Sequence, residues 1–211
     1  INEAIRMVAE GYEPATVEAA ARQAGYPAAQ LQLADELNLK LMKKISEENE
    51  TAARDRGEKI DDGGVATLVN RMIEEFGRPG KLEGRGFYEY ENGRRQGLWD
   101  GLRTELGAGS IDADDVVMQD LIDRMLFIEA VETQKCVDEG VVLHDADANI
   151  GSIFGIGYPA WTGGTRQFIK NYDGTGADGS RQRGVEGFVA RAEELSAKYG
   201  ERFAPPASLK G

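Results

Sequence analysis

The sequence predicts an all-α protein made of two tandem helical repeats that pack against each other as a pseudo-dimer. Apolar residues recur three and four positions apart through most of the 211-residue chain, which is the spacing of amphipathic helices. A Glu-Gly pair at 10–11 returns at 139–140, and Gly-Tyr-Pro at 25–27 returns at 157–159. Both copies share the order helix, Glu-Gly, helix, Gly-Tyr-Pro, so we expect two copies of one helical unit.

The boundary between the repeats is predicted after residue 109. The first repeat, 1–109, ends in a short connecting segment, 77–109, rich in glycine and aromatic residues, and the second repeat is 110–211. Residues 123–127 precede the position of the second repeat that is equivalent to Ile1. We therefore expect the first repeat to be truncated at its N-terminus, which agrees with a chain that begins with Ile rather than Met.

Five helices are predicted before residue 80, and residues that start or stop helices delimit them. Pro14 favours the first turn of the second helix, and Gly25 favours its C-terminal cap. The acidic and glycine run 61–64 separates the fourth helix from the fifth. The predicted helices are 1–10, 14–24, 31–37, 39–56 and 65–76.

The rest of the chain predicts a hairpin, one long helix and three shorter ones. Asn92-Gly93 is a strong hairpin signal within the aromatic connection 81–99. Asp112 is predicted to cap a helix that runs to about Glu139 and buries Cys136. Shorter helices are predicted at 145–153, 165–171 and 185–199, with a mobile glycine-rich loop at 173–184.

Composition excludes several classes of function. The chain has 25 basic and 37 acidic residues, a net charge of −12, which argues against a nucleic-acid partner. No apolar run approaches the ~18 residues of a membrane-spanning helix, so no integral membrane segment is expected. A single cysteine excludes an internal disulfide and favours a reducing compartment, so we expect a cytoplasmic location. A single histidine excludes an all-histidine metal site.

Three motifs imitate functional sites, and each has a simpler structural interpretation. Residues 155–160, Gly-Ile-Gly-Tyr-Pro-Ala, fit a loose dinucleotide fingerprint but follow a predicted helix instead of a strand. The Asp-x-Asp-x-Asn run at 145–149 resembles the start of a calcium loop that lacks its later Gly and Glu. His144 has no nucleophile beside it, so it is expected to lie at the surface near a helix end. These motifs predict no metal ligand and no catalytic residue.

Phe154, Tyr158 and Trp161 form an aromatic cluster with the glycine pair 163–164. The cluster is either a tight turn packed into the core or one wall of a ligand cleft, because glycines permit close approach. We expect the first case, in which Trp161 is buried and Trp161→Ala costs a few kcal/mol because it removes a buried aromatic ring. In the second case the indole faces a ligand and its loss leaves stability unchanged.

These residues also belong to longer runs that one enzyme family shares. The runs are 124–131 (Arg-Met-Leu-Phe-Ile-Glu-Ala-Val), 139–141, 145–151, 154–164, 84–90 (Gly-Arg-Gly-Phe-Tyr-Glu-Tyr) and 199–206. Through them the chain resembles the C-terminal domain of 3-hydroxyacyl-CoA dehydrogenases. It looks most like the α-subunit of the multifunctional fatty-acid β-oxidation complex.

The resemblance implies a fold, a reaction and a set of site residues. The fold is a pair of helical repeats of the 6-phosphogluconate-dehydrogenase C-terminal type, preceded by an NAD domain and, in multifunctional members, an enoyl-CoA hydratase domain. The reaction oxidises 3-hydroxyacyl-CoA to 3-ketoacyl-CoA and passes hydride to NAD. Phe154, Tyr158 and Trp161 would contact substrate, with Phe154 where the family often has tyrosine. The first repeat departs from the family pattern at 29–30, where this chain has Ala-Gln and the family usually has Gly-Pro.

The resemblance places the catalytic machinery outside this chain. The family's His–Glu pair lies in the NAD domain, and its substrate-contacting Asn opens the first repeat just before Ile1. His144 is not in that motif, so we expect no catalytic residue and no bound cofactor here, and an inactive chain when it is isolated. The implied partners are an acyl-CoA in the parent enzyme, and a thiolase subunit or a second copy.

Two other functions fit the same sequence. A non-catalytic helical module would use the repeats to dimerise or to dock a thiolase subunit. The helical domain of another NAD enzyme, such as 6-phosphogluconate dehydrogenase, would share the architecture. That function requires a basic cluster for a sugar phosphate, and the sequence has none.

Overall fold

The computed structural model describes residues 1–57 and 60–210, and this part of the chain is mainly helical, which confirms the all-α prediction. Its helices are α1 Asn2–Ala9, α2 Pro14–Ala24, α3 Gln30–Leu37, α4 Leu39–Asp55, α5 Val65–Glu74, α6 Gly101–Thr104, α7 Met118–Asp138, α8 Asp145–Ile156, α9 Thr165–Lys170 and α10 Gly184–Tyr199. Its strands form two antiparallel pairs, β1 Tyr88–Glu91 with β2 Arg94–Leu98 and β3 Asp173–Thr175 with β4 Arg181–Arg183. Within these ranges, no helix has both the length and the apolarity that crossing a bilayer requires.

The chain divides into two compact units. The first comprises Ile1–Ala20 and Ala28–Val116, and the second comprises Ala21–Pro27 and Val117–Gly211. The second unit therefore includes the end of α2 and the Gly-Tyr-Pro turn that follows it. The division predicted after residue 109 and the repeat relation remain predictions.

The core of the first unit forms around α1. Six of its eight residues are buried, and α1 packs against α3 and α5. The acidic–glycine break positions α5, because the Asp62 carboxylate accepts hydrogen bonds from the N–H groups of Gly64 and Ala66, at 3.2 and 2.6 Å. Phe87 and Leu102, at 0% and 1% exposure, bring the aromatic connection into the same core.

The predicted hairpin turn is confirmed. Asn92 and Gly93 have φ angles of 52° and 73°, the left-handed conformation that a two-residue turn between antiparallel strands requires. The register pairs Glu91 with Arg94. The Asn-Gly signal was sufficient here because it is local and needs no tertiary contact.

The core of the second unit is aromatic and lies against α7. The rings of Phe127 and Phe188 stack with centroids 4.5 Å apart. Phe168 and Tyr172 approach Phe127 edge-on, at 5.5 and 5.3 Å. Edge-to-face pairs at these distances are favourable beyond their buried area. This cluster joins α7, α9 and α10.

Three predictions about local structure in the second half are wrong. Asp112 caps a short 3₁₀ turn at 113–115 instead of the long helix, because the extended backbone of Val117 separates the turn from α7. Residues 173–184 are not a plain loop, since Asp173 pairs with Arg181 and Arg183 across the β3–β4 hairpin. Cys136 is only partly buried.

Candidate functional site

Two tyrosines hold the predicted substrate-side region of the second unit against α7. The Tyr158 hydroxyl donates to the carbonyl of Leu126 at 3.1 Å, and the Tyr26 hydroxyl lies 3.0 Å from the carbonyl of Met125. The two rings meet edge-on with centroids 6.4 Å apart. Tyr158 is 1% exposed, so its ring and hydroxyl both belong to the packing of this unit.

A buried carboxyl completes this arrangement. Glu129 Oε1 lies 3.0 Å from the Tyr26 hydroxyl, and burial raises the pKa of Glu129. A tyrosine has a single proton to donate, so it cannot donate to Met125 and Glu129 together. The hydroxyl therefore donates to one of these two acceptors at a time, and both acceptors belong to α7.

Trp161 binds the end of α2. Its indole Nε1 donates to the carbonyl of Ala24 at 2.7 Å. Gly25 has φ +93°, and a Cβ there would lie 2.7 Å from two atoms of the indole, so both the backbone conformation and the space require glycine. The predicted burial of Trp161 is wrong, because 67% of this residue is exposed. The indole is held along one edge, where it meets Gly25 and Ala24, and is otherwise open to solvent.

An open cavity of about 430 Å³ lies beside Trp161. Its lining combines apolar side chains, amides and a carboxylate: Gln23, Ala24, Gln119, Ile122, Asp123, Leu126, Trp161, Phe168, Tyr172, Asp173, Gly174 and Thr175. The volume is within the ~300–1,000 Å³ of small-molecule sites. Trp161 is the only predicted substrate-binding residue among the lining residues that the structure describes.

The Asp123 carboxylate of this cavity already has a strong partner. Arg191 Nε donates to Asp123 at 2.7 Å, and Arg191 Nη2 donates to Asp120 at 2.6 Å, with all three side chains less than a tenth exposed. Burial raises the pKa of Asp123, whereas Lys198, Tyr199 and Arg191 together overcome burial and lower the pKa of Asp120. This cluster ties α7 to α10.

Helix α8 presents an apolar surface to solvent. Ala148 and Ser152 are its buried residues, while Ile150, Phe154 and Ile156 are 60%, 85% and 58% exposed. Exposed large apolar side chains grouped on one element are typical of contact surfaces. Phe154 is thus available to a ligand or a partner, whereas Tyr158 is not.

The calcium-like run at the start of α8 is used for protein contacts. Asp145 forms ion pairs with Lys170 and with Arg166, at 2.7 Å for the latter, and these cations lower the pKa of Asp145. Asn149 Oδ1 accepts from the N–H groups of Arg166 and Gln167, at 2.9 and 3.1 Å, and so caps α9. No group of three potential metal-ligating His, Cys, Asp or Glu side chains occurs among the described residues.

The glycine run 155–160 does not fit NAD. The segment before it is α8, and Gly157, with φ 75°, ends that helix in the left-handed conformation typical of a C-terminal cap. A dinucleotide loop instead follows a strand and opens a helix, so that backbone N–H groups face the pyrophosphate. His144 precedes α8 as an exposed residue whose side chain makes no capping hydrogen bond.

In the first unit, a network of buried polar groups holds the run 84–90. Asp35, 1% exposed, accepts from the N–H groups of Phe87 and Tyr88, at 2.7 and 2.9 Å, and from the Tyr90 hydroxyl at 3.0 Å. Burial raises the pKa of Asp35 to about 6 in spite of these donors. A Cβ at Gly86 would overlap the Asp35 carboxylate.

Arg78 holds the same run from the other side. It donates to the carbonyls of Gly86 and Tyr88, at 2.8 and 3.1 Å, and its guanidinium lies 4.4 Å from the centre of the Trp99 ring. The backbone of the run is thus fixed through both its N–H and its C=O groups. The run 84–90, which carries part of the family resemblance, is thus held in place by Asp35 and Arg78.

Comparison with known proteins gives a family match for the first 90 residues. Residues 1–90 match the model of the family described as 3-hydroxyacyl-CoA dehydrogenase, C-terminal domain. Over this segment the chain is similar to a 3-hydroxyacyl-CoA dehydrogenase C-terminal domain. The resemblance seen in the sequence is confirmed for this segment, which ends with the run 84–90.

The solved dehydrogenase part of multifunctional enzyme 1 from C. elegans has a similar fold. The TM-score is 0.62 at 18% sequence identity, over 95% of this chain and 42% of that chain. At this identity the likeness shows the fold alone. The chain spans less than half the length of that relative.

Both units also depend on residues that the sequence patterns do not reveal. Asp35 and Arg78 support the shared run, yet each lies in a stretch that looks like charged surface. Arg191 was missed for the same reason. A charged residue separated from its partner by 8 to 71 positions gives no local signal.

Proposed function

We propose that this chain is the C-terminal, substrate-side part of an NAD-dependent 3-hydroxyacyl-CoA dehydrogenase of fatty-acid β-oxidation. The observation that carries the proposal is the family match over residues 1–90. The reaction converts a 3-hydroxyacyl-CoA to the 3-ketoacyl-CoA. NAD would be bound by another domain of the enzyme, since the glycine run 155–160 does not have the strand–loop–helix context that NAD requires.

The exposure of the predicted site residues refines their roles. Phe154 and Trp161 are largely exposed, which supports contact of their rings with an acyl-CoA. Tyr158 is a positioning residue in this proposal, because its hydroxyl is bound to the Leu126 carbonyl. It fixes the turn that joins α8 to Trp161.

Reduction of acetoacetyl-CoA by NADH tests the proposal. We expect activity from the full-length product of the gene and none from the isolated 211-residue chain. Activity of the isolated chain would contradict the proposal, because the chain would then contain a complete site. A full-length enzyme without this activity would contradict it as well.

Phe154→Ala tests the substrate-side role. We expect the KM of the full-length enzyme for acetoacetyl-CoA to rise about tenfold with little change in kcat, since about 1.4 kcal/mol of binding corresponds to a factor of ten. The matched control is Leu82→Ala, which removes another side chain of similar exposure, 86%, from the first unit. Equal KM values for the two variants would exclude Phe154 from the site.

The surface of α8 favours one alternative function. Its exposed apolar residues would also suit a non-catalytic module that docks a partner such as a thiolase subunit. The same assay separates the two functions, because a docking module predicts a full-length protein without dehydrogenase activity.

A further inference from the structure

One tyrosine of the second unit buries its ring but gives its hydroxyl no partner in the protein. Tyr172 is 6% exposed, and its ring meets Phe127, Phe168 and Phe188 edge-on, with centroids 5.3 to 6.2 Å apart. Its hydroxyl forms no hydrogen bond with any residue that the structure describes. Tyr172 lines the cavity of about 430 Å³ beside Trp161. Because buried polar groups normally have a hydrogen-bond partner, this hydroxyl points to a ligand in the cavity.

The backbone beside this hydroxyl leaves room for it. A Cβ at Gly174 would lie 2.2 Å from the Tyr172 hydroxyl oxygen, so a residue without a side chain is needed there. Gly174 lines the same cavity, together with Asp173 and Thr175, its neighbours in β3. The hydroxyl oxygen keeps accessible surface even though the ring is buried. A molecule bound in the cavity can therefore reach the hydroxyl.

The charged groups at the cavity are already paired, so they favour a neutral ligand. Among the described residues that line it, none is Lys or Arg, and its carboxylates are those of Asp123 and Asp173. Arg191 binds Asp123, and Arg181 binds both carboxylate oxygens of Asp173, at 2.7 and 2.5 Å. An anionic ligand such as a CoA would find no cation at the cavity for its phosphates. A cationic ligand would have to replace an arginine, and an arginine left without its carboxylate is costly where it is buried.

The uncharged polar groups at the cavity match a carboxamide. Gln119 Nε2 donates to Asp123 at 2.8 Å, which leaves Gln119 Oε1 as an acceptor. Burial and the Asp123 carboxylate raise the pKa of Tyr172, so the hydroxyl keeps its proton and is a donor. Both groups are neighbours of Asp123. A carboxamide supplies a carbonyl oxygen to the Tyr172 hydroxyl and an N–H to the Gln119 oxygen, while Leu126 and Phe168 offer apolar surface to a ring.

We propose that this cavity binds a small neutral aromatic carboxamide, whose carbonyl oxygen accepts a hydrogen bond from Tyr172 and whose N–H donates to Gln119. The proposal goes beyond the proposed function, because this ligand is not the acyl-CoA. Of Phe154, Tyr158 and Trp161, Trp161 alone lines the cavity. The test needs no dehydrogenase activity, so either proposal can fail without the other.

Three probes of the same shape test the charge preference of the cavity. Benzamide is neutral at pH 7.5, benzoate is an anion and benzamidine is a cation. We expect benzamide to cause saturable chemical-shift changes in the ¹⁵N-labelled chain, with a Kd of about 1 mM. Each ion should bind at least tenfold more weakly. An absence of saturable changes with benzamide would overturn the proposal, and so would an ion that binds as tightly as benzamide.

The same titration shows whether the cavity is separate from a site for acyl-CoA or NAD. Neither acetoacetyl-CoA nor NADH is expected to displace benzamide, since the lining offers their phosphates no cation. Displacement by either compound would contradict the proposal, because the cavity would then belong to the dehydrogenase site.

Tyr172→Phe separates a ligand-binding hydroxyl from a structural one. We expect benzamide to bind at least fivefold more weakly to this variant. Its thermal midpoint should equal or exceed that of wild type, since the hydroxyl has no bond within the described chain to lose. The matched control is Tyr90→Phe, which removes the hydroxyl that donates to Asp35 in the first unit. The control should have a lower midpoint and bind benzamide as wild type does.

The two variants together decide the role of Tyr172. Unchanged affinity in Tyr172→Phe would exclude its hydroxyl from the site and overturn the proposal. A midpoint that falls as far in Tyr172→Phe as in Tyr90→Phe would overturn it as well, because the hydroxyl would then serve the fold.

Discussion

The indole N–H of Trp161 acts as a structural donor, because it binds the Ala24 carbonyl at the end of α2. Trp161→Phe keeps an aromatic ring and removes the donor. We expect it to lower the free energy of unfolding by about 1 kcal/mol, the net value of one hydrogen bond. Urea denaturation measures the loss. Phe154→Ala, at a position 85% exposed, is the control and should change stability by less than about 0.5 kcal/mol.

The outcome for Trp161 also separates two roles of its ring. An unchanged urea midpoint in Trp161→Phe would show that the bond to Ala24 adds nothing in solution. A loss as large as that of a fully buried ring, about 3–5 kcal/mol, would show that the indole is covered in solution.

Asp35 is expected to make the stability of the first unit pH-dependent. Burial raises its pKa from 3.8 to about 6, so the folded state binds the proton more tightly than the unfolded state. The proton therefore stabilises the folded state fully below the ordinary pKa of 3.8, and this stabilisation is lost as pH rises through about 6. Between about pH 5 and 7.5, the free energy of unfolding of wild type should fall by about 1–1.5 kcal/mol relative to that of Asp35→Asn. Residue 35 of the variant does not titrate, so the variant lacks this pH dependence.

Urea denaturation of both proteins at the two pH values checks this. A difference between wild type and Asp35→Asn that is constant with pH would contradict the raised pKa. A difference that grows in favour of wild type as pH rises would mean that the N–H donors of Phe87 and Tyr88 outweigh burial.

At the scale of elements, α9 depends on a cap that comes from α8. Asn149→Ala removes the acceptor of two backbone N–H groups, and we expect a loss of about 1–2 kcal/mol in unfolding free energy. His144→Ala changes another polar residue at the start of α8, one without a capping bond, and serves as the control. Equal thermal stability of the two variants would show that α9 does not need the Asn149 side chain.

Elements were predictable wherever their signals are local. The three- and four-residue apolar spacing in α5, the proline and glycine limits of α2, and the turn at Asn92-Gly93 were sufficient to place these elements. The β3–β4 hairpin was missed because its strands have three residues each and its glycines suggest a loop. Asp112 was assigned to the wrong element because a capping residue looks the same before a 3₁₀ turn and before a helix.

The candidate site was predictable only in part, and for a different reason. The aromatic run 154–161 was found from its composition, but exposure depends on tertiary contacts that a local pattern does not contain. Tyr158 and Trp161 lie three positions apart, yet one is buried and the other is open. The sequence therefore predicts which residues lie close together. It does not predict which of them are exposed to a ligand.

At the scale of the molecule, the second unit is completed by a distant segment of chain. Residues 21–27 supply the Tyr26 hydroxyl to α7, the Tyr26 ring to Tyr158 and the Ala24 carbonyl to Trp161. A boundary drawn from sequence order cannot include a segment more than ninety positions away. This segment makes the second unit discontinuous in sequence.

A fragment of residues 117–211 is therefore expected to be less stable than the same unit in the full chain, because it lacks these contacts. A peptide of residues 14–27 should raise its thermal midpoint in a saturable manner, as any ligand of the folded state does. The same peptide with Tyr26→Phe is the control, and it should bind about fivefold more weakly, since it lacks one hydrogen bond of about 1 kcal/mol. Calorimetry with both peptides measures this difference. A fragment whose midpoint neither peptide changes would show that the second unit folds without residues 21–27.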